Sequence, residues 1–229
     1  MADYIKERSS GEVIRDSVKI YWSNFATIFA IYFFNGFMWD FLFDILKHTH
    51  TWPRGRWGIY LLSWLMPFVA GVQLTVVISQ IYLGYELNFR RAFRDPSTLS
   101  KAVVTALLVA LLFPIYPLTM FSVPIVVLEG VWGFNALRRS YELGTNYYVR
   151  NFLVLIWPYT IMFLLLFPFA VLHQIYTSIG LTVFVDFVKD AAFSLITPLL
   201  IITSVLLYFD MRIRNEAYDI VSLAEELKK

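Results

Sequence analysis

The densest group of reactive side chains is the run Leu207-Tyr208-Phe209-Asp210-Met211-Arg212-Ile213-Arg214-Asn215-Glu216-Ala217-Tyr218-Asp219. Asp210, Arg212, Arg214, Glu216 and Asp219 lie within it. Such a cluster can move a proton, hold an anion, or pair its charges with one another. Arg212 and Glu216 are four apart, the spacing at which side chains meet on one helical face. Glu129 sits at another boundary between apolar and polar sequence, within reach of Arg138, Arg139 or this run. Charges at such a boundary are tolerated when paired or snorkelling. The expected role is a structural ion-pair cluster of Glu129, Arg138, Arg139, Asp210, Arg212, Arg214, Glu216 and Asp219. Catalysis and transport are the competing roles.

A second group could bind a divalent metal or sense pH. Asp40, Asp44 and His48 are spaced four apart, so a continuing helix puts them on one face. His50, His173, Asp186 and Asp190 fall on the same expected side. No dense ligand motif such as His-Glu-x-x-His is present, so the reading names no metal and no cofactor. Phosphate-cradling loops and the Gly-x-Ser-x-Gly elbow are also missing from the sequence.

The elements that carry these groups follow from composition. Of 229 residues, 59% are hydrophobic and only 16% charged, and the mean hydropathy is +0.62. Soluble domains run nearer ~45–50% apolar and ~25% charged. The reading is an all-α, polytopic integral membrane bundle, one membrane domain over residues 1–229. A net charge of +2 argues against a nucleic-acid partner. There are no cysteines, hence no disulfides and no thiolate sites. The charged N-terminal stretch reads as no signal peptide.

Four segments are apolar enough to span: about 24–46, 59–83, 152–174 and 191–209. Between Lys101 and Glu129 lie 27 apolar or uncharged residues, with Pro114 and Pro117 in the middle. That is long for one span and short for two. Two prolines three apart break a helix. If the stretch crosses once, Lys and Arg divide 9 against 10 between the two sides; if it is a hairpin they divide 15 against 4. Only the hairpin obeys the positive-inside rule. The expectation is therefore about six membrane helices within 24–210, the central pair (97–113 and 118–133) a short proline-containing hairpin. Both termini are then cytoplasmic, in a plasma or inner membrane. An interfacial helix over 9–23 precedes the spans, and an amphipathic cytoplasmic tail over 211–229 follows them.

Three segments share the pattern apolar, Arg, charged, small, apolar. They are Ile14-Arg15-Asp16-Ser17-Val18, Phe89-Arg90-Arg91-Ala92-Phe93 and Leu137-Arg138-Arg139-Ser140-Tyr141. Each precedes a pair of spans, which suggests an internal repeat. In the first, Ser9 and Glu12 have capping-box spacing, and Ile14, Val18, Tyr21, Trp22 and Phe25 form an apolar stripe. Asp95-Pro96 reads as the start of a helix, and Gly144 as the stop of another.

Three stretches resemble the glycerophosphoryl diester phosphodiesterase membrane domain family and its multi-span bacterial and archaeal relatives. They are Gly11-Glu12-Val13-Ile14 with Asn24-Phe25, Pro124 to Leu143, and Leu207 to Asp219. The resemblance implies a six-helix membrane domain. It does not imply hydrolysis, which in the enzymes of that name resides in a separate barrel of ~250 residues. Residues 60–83, 102–128 and 152–172 contain no Asp, Glu, Lys or Arg. The functional expectation is a non-enzymatic multi-pass protein, a scaffold or accessory subunit whose partners are membrane lipids and membrane-protein subunits. The alternative is a transporter or lipid-handling protein with a cavity at the central hairpin.

Overall fold

The computed structural model describes residues 7–39, 41–42, 56–85, 87, 96–111, 119–175 and 179–216. Among them it is all-helical, with no strand. The α-helices are α1 (Ser10–Ser23), α2 (Phe25–Tyr32), α3 (Arg56–Leu83), α4 (Pro96–Leu111), α5 (Ser122–Glu129), α6 (Phe134–Gly144), α7 (Tyr148–Ile175) and α8 (Ile179–Glu216). A π-helical turn, Phe33–Phe37, extends α2. Among the described residues three stretches are long and apolar enough to cross a membrane: Leu65–Leu83, Phe134–Phe169 and Thr182–Glu216; Phe25–Phe37 is a shorter apolar helix.

Local chemistry explains the helix ends. The Ser9 hydroxyl accepts from the Glu12 N–H, and the Glu12 carboxylate accepts from the Ser9 N–H at 2.8 Å. This reciprocal cap satisfies donors that the first turn would leave orphaned. Asn24 closes α1 through its backbone N–H and side-chain amide, both donating to the Ile20 carbonyl. Helix α3 ends at Gly84, where φ is +73°, and the Tyr85 N–H reaches back to the Gln80 carbonyl. A side chain would be strained at that φ. Pro96 is the first residue of α4; Asp95 lies outside the described residues. The α-helix α6 ends at Gly144, as the sequence suggests, though the chain stays helical beyond it. Helix α6 passes through a 3-10 turn, Thr145–Tyr147, directly into α7.

Helix α8 is the spine of the bundle. It has 38 residues, about 57 Å at ~1.5 Å per residue. Helix α1 runs antiparallel beside it. The Arg8 N–H meets Asp210, Thr203 Oγ1 lies 3.3 Å from Ser17 Oγ, and the Tyr21 hydroxyl donates to the Leu195 carbonyl. Further along, the rings of Phe37 and Phe41 pack on Phe187.

Several details differ from the sequence reading. Helix α1, expected as an interfacial helix over 9–23, packs lengthwise on α8. Its buried face is Val13, Ser17 and Tyr21, and Trp22 of the expected stripe is 67% exposed. The face is displaced because Ser17 and Thr203 are small enough to bring two helices close, and a serine carries no hydrophobic signal. The last apolar segment begins at Ile179, so Asp186, Lys189 and Asp190 lie within α8 and not in a loop. Of the arm expected over 118–133, the described helix is α5, Ser122–Glu129, about 12 Å long. It ends because Gly130 and Gly133 take positive φ of 73° and 65°. The hydrocarbon core of a bilayer is ~30 Å thick, so α5 alone does not cross it.

The start of α1 and of α7 and the end of α3 and of α8 meet at one end of the bundle. Tyr82, near the end of α3, touches both Arg8 and Phe209. Arg150, near the start of α7, touches Arg8 and Asp210. The chain thus leaves this end after α3 and is back there when α7 begins.

Candidate functional site: a charged collar and an apolar cavity

Two ion-pair networks flank the end of α8. The helical repeat explains why there are two. Asp210 and Arg214 share one face, and Tyr208, Arg212 and Glu216 share another, each set spaced by four.

The first network centres on Asp210, whose side chain is fully buried. Its carboxylate accepts from the Arg8 N–H at 2.7 Å. It also meets Arg150 at 2.7 Å and Arg214 at 3.0 Å. The Arg8 carbonyl is held as well, by Arg150 at 2.6 Å and Arg214 at 2.7 Å. The Arg8 side chain turns inward, donates to the Tyr82 hydroxyl at 2.9 Å and pairs with Asp16 at 3.3 Å. Arg214 extends to Glu7 at 2.9 Å.

The second network centres on Glu129, at the end of α5. One oxygen accepts from the Tyr208 hydroxyl at 2.8 Å and lies 3.8 Å from Arg212. The other pairs with Arg139 of α6 at 3.2 Å. Glu216 bridges the same two arginines: Arg212 at 3.0 Å and Arg139 by a short hydrogen bond. Asn215 donates to the Leu143 carbonyl and ties α6 down a second time.

Among the described residues six arginines (Arg8, Arg15, Arg139, Arg150, Arg212, Arg214) therefore meet five carboxylates (Glu7, Asp16, Glu129, Asp210, Glu216). Arg15 is exposed at the rim, and the other five arginines balance the five carboxylates. A mostly buried set of this kind, with Glu7 exposed, has its Coulomb partners within the chain.

Of the residues singled out from sequence, Glu129, Arg139, Asp210, Arg212, Arg214 and Glu216 are brought together. Arg138 is not. Its side chain is 80% exposed and pairs with Glu142 at 2.9 Å. Asp219 lies outside the described residues, as do Asp40, Asp44, His48 and His50. Asp186 and Asp190 both lie against Lys189, at 3.0 and 3.6 Å. Among the described residues no group of three or more His, Cys, Asp or Glu is placed to hold a metal.

The repeated pentapeptide has a shared placement in the two copies described; the Phe89–Phe93 copy falls outside apart from its surroundings at Leu87. In each, the first arginine (Arg15, Arg138) is exposed. The next charge (Asp16, Arg139) enters the collar. The small residue (Ser17, Ser140) is fully buried. Ser17 sits against Thr203, and Ser140 accepts from the Phe121 N–H at 3.2 Å.

Between the collar and the other end lies a cavity of about 380 Å³. Its walls come from α2, α3, α4, α5, α7 and α8, and include Gly71, Val109, Val123, Met162, Thr197 and Ser204. Among the described residues, no lining residue is charged. Comparison with protein-family profiles, curated proteins and solved structures finds no match to this chain.

Proposed function

We propose that this chain is a non-enzymatic multi-pass membrane protein, a scaffold or accessory subunit of a membrane assembly. The observation that carries the reading is the collar: five basic and five acidic groups neutralise one another where six helices meet. Such an arrangement holds helices in register and pairs its charges within the chain. The six-helix topology with cytoplasmic termini belongs to the same proposal. It is supported by the division of basic residues, 15 against 4, and by the return of the chain to the collar between α3 and α7. The kinship to the glycerophosphoryl diester phosphodiesterase membrane domain is likewise proposed, on the motif from Leu207 to Asp219.

A specific observation favours a second reading, a lipid-handling protein: the uncharged cavity sits against the short central helix α5. Purification of the full chain in mild detergent separates the two. A stoichiometric protein partner is expected for the scaffold. A lone chain carrying lipid would replace it with the second reading.

Topology has its own test, and the absence of cysteine makes it simple. A cysteine at Glu142 is expected to react with a membrane-impermeant maleimide only after the cells are opened. One at Thr51 is expected to react in intact cells. The reverse pattern would invert the topology.

A further inference from the structure

We infer that the central cavity is a binding site for one hydrocarbon chain of a membrane lipid. The inference deepens the second reading above and rests on the chain being embedded in a bilayer.

The volume comes first. About 380 Å³ lies within the ~300–1,000 Å³ of ordinary ligand pockets. Interiors packed only for stability do not leave such a void, because its lining forfeits dispersion contacts. The void follows from specific residues. Gly71 faces α8 with nothing between; a Cβ there would meet only Ile201 Cδ1, at 3.9 Å. Across from it, α8 presents Thr197 and Ser204, which are small. Pro67 in α3 removes a helical hydrogen bond at the cavity wall.

The lining then selects the ligand. Among the described residues it has no charged side chain to meet a carboxylate, phosphate or ammonium. Of its six hydroxyl-bearing residues, Tyr32, Thr75, Thr119, Tyr159, Thr197 and Ser204, three donate within their own helices. Thr75 donates to the Gly71 carbonyl, Thr197 to the Phe193 carbonyl and Ser204 to the Ile201 carbonyl. The rest of the described lining is apolar, so an ionic ligand would be desolvated there without a counter-charge, and a mostly apolar void does not hold ordered water well. In a bilayer the abundant filler with matching chemistry is an acyl or isoprenoid chain from the surrounding lipid.

The position also fits. Ser204, at one edge of the lining, is four residues from Tyr208 of the collar, about 6 Å along α8. The collar closes that end with charges already paired, so the chain enters from the membrane side rather than through the charged end.

The test uses the full chain in lipid bilayers doped with phosphatidylcholine that carries a photoactivatable diazirine within one acyl chain. Two sets of sites are read by mass spectrometry. Phe163, Leu164 and Phe167 on the exposed flank of α7 report ordinary lipid contact. Met120 and Met162 report the cavity. Both sets should be labelled in the native chain. In Gly71→Phe the ring fills the cavity, and labelling of Met120 and Met162 should fall about tenfold or more while the α7 flank is unchanged. Thr197→Phe blocks the site from the opposite wall and serves if the first variant does not fold. Labelling of the flank alone in the native chain would overturn the cavity site and leave the membrane reading standing. Cavity labelling unchanged in both folded variants would also overturn it. No labelling at either set would overturn the membrane reading and this inference together.

Discussion

Replacing Asp210 with asparagine is expected to be the most damaging single change in the chain. The carboxylate is fully buried and serves three partners: the Arg8 N–H, Arg150 and Arg214. The amide has nearly the same shape and no charge. It leaves two guanidiniums, 18% and 14% exposed, facing a neutral group. Removing one partner of a buried ion pair costs about 3–5 kcal/mol, because the remaining charge stays desolvated. That is a large share of the ~5–15 kcal/mol by which proteins are stable. The melting temperature in detergent should fall by roughly 10 °C. The damage should also have a place. The backbone of Arg8 is bound on both its N–H and its carbonyl by this network. Limited proteolysis should therefore cut the segment before α1 first. A melting temperature within a degree or two of the native value would show that the pairs carry little.

Glu129→Gln is the second, and its effect should be smaller for a structural reason. Glu129 meets Tyr208, Arg139 and Arg212, and losing its charge weakens three contacts. Both arginines keep Glu216, however. The cost should lie near the ~1.5–3 kcal/mol of a charge-assisted hydrogen bond rather than that of an orphaned ion. Adding Glu216→Gln removes this reserve, so the double variant should lose more than the two single losses combined. Thermal unfolding of the four proteins measures it. Equal losses for Glu129→Gln and Asp210→Asn would mean that Glu216 does not share the load.

The parts of the collar visible in the sequence are those that local spacing creates. Arg212 and Glu216 are one helical turn apart on α8, and their pairing follows from the repeat alone. Glu129 stood out because a carboxylate ends a long apolar stretch. Arg8 and Arg150 were counted only as basic residues on one side. Nothing in the sequence near either of them points to Asp210, which lies 202 residues beyond Arg8. Their role comes from the antiparallel packing of α1 and α7 on α8, a tertiary fact. Arg138 shows the opposite failure. It adjoins Arg139 in the sequence, but helical rotation turns it to the exposed side. The buried face of α1 was hidden in part for another reason. Hydrophobic periodicity points to Ile14, Val18, Tyr21, Trp22 and Phe25; Tyr21 is buried and reaches Leu195, but Ser17, buried against Thr203, gives no such signal. Small polar residues at helix contacts are invisible to that signal. The cavity was legible only as an expectation at the central hairpin, since a void belongs to no residue. The length of the apolar stretch pointed there, and the brevity of α5 is the physical counterpart.

The central claim is that the collar is a structural lock. The most direct test is a double-mutant cycle between Asp210 and Arg150, using Asp210→Asn and Arg150→Gln and the unfolding free energy of the full chain in detergent. A lock predicts strong coupling: the double variant should lose well less stability than the two single losses combined, with a coupling energy of about 2 kcal/mol or more. Additive losses, with coupling within ~0.5 kcal/mol of zero, would contradict the account.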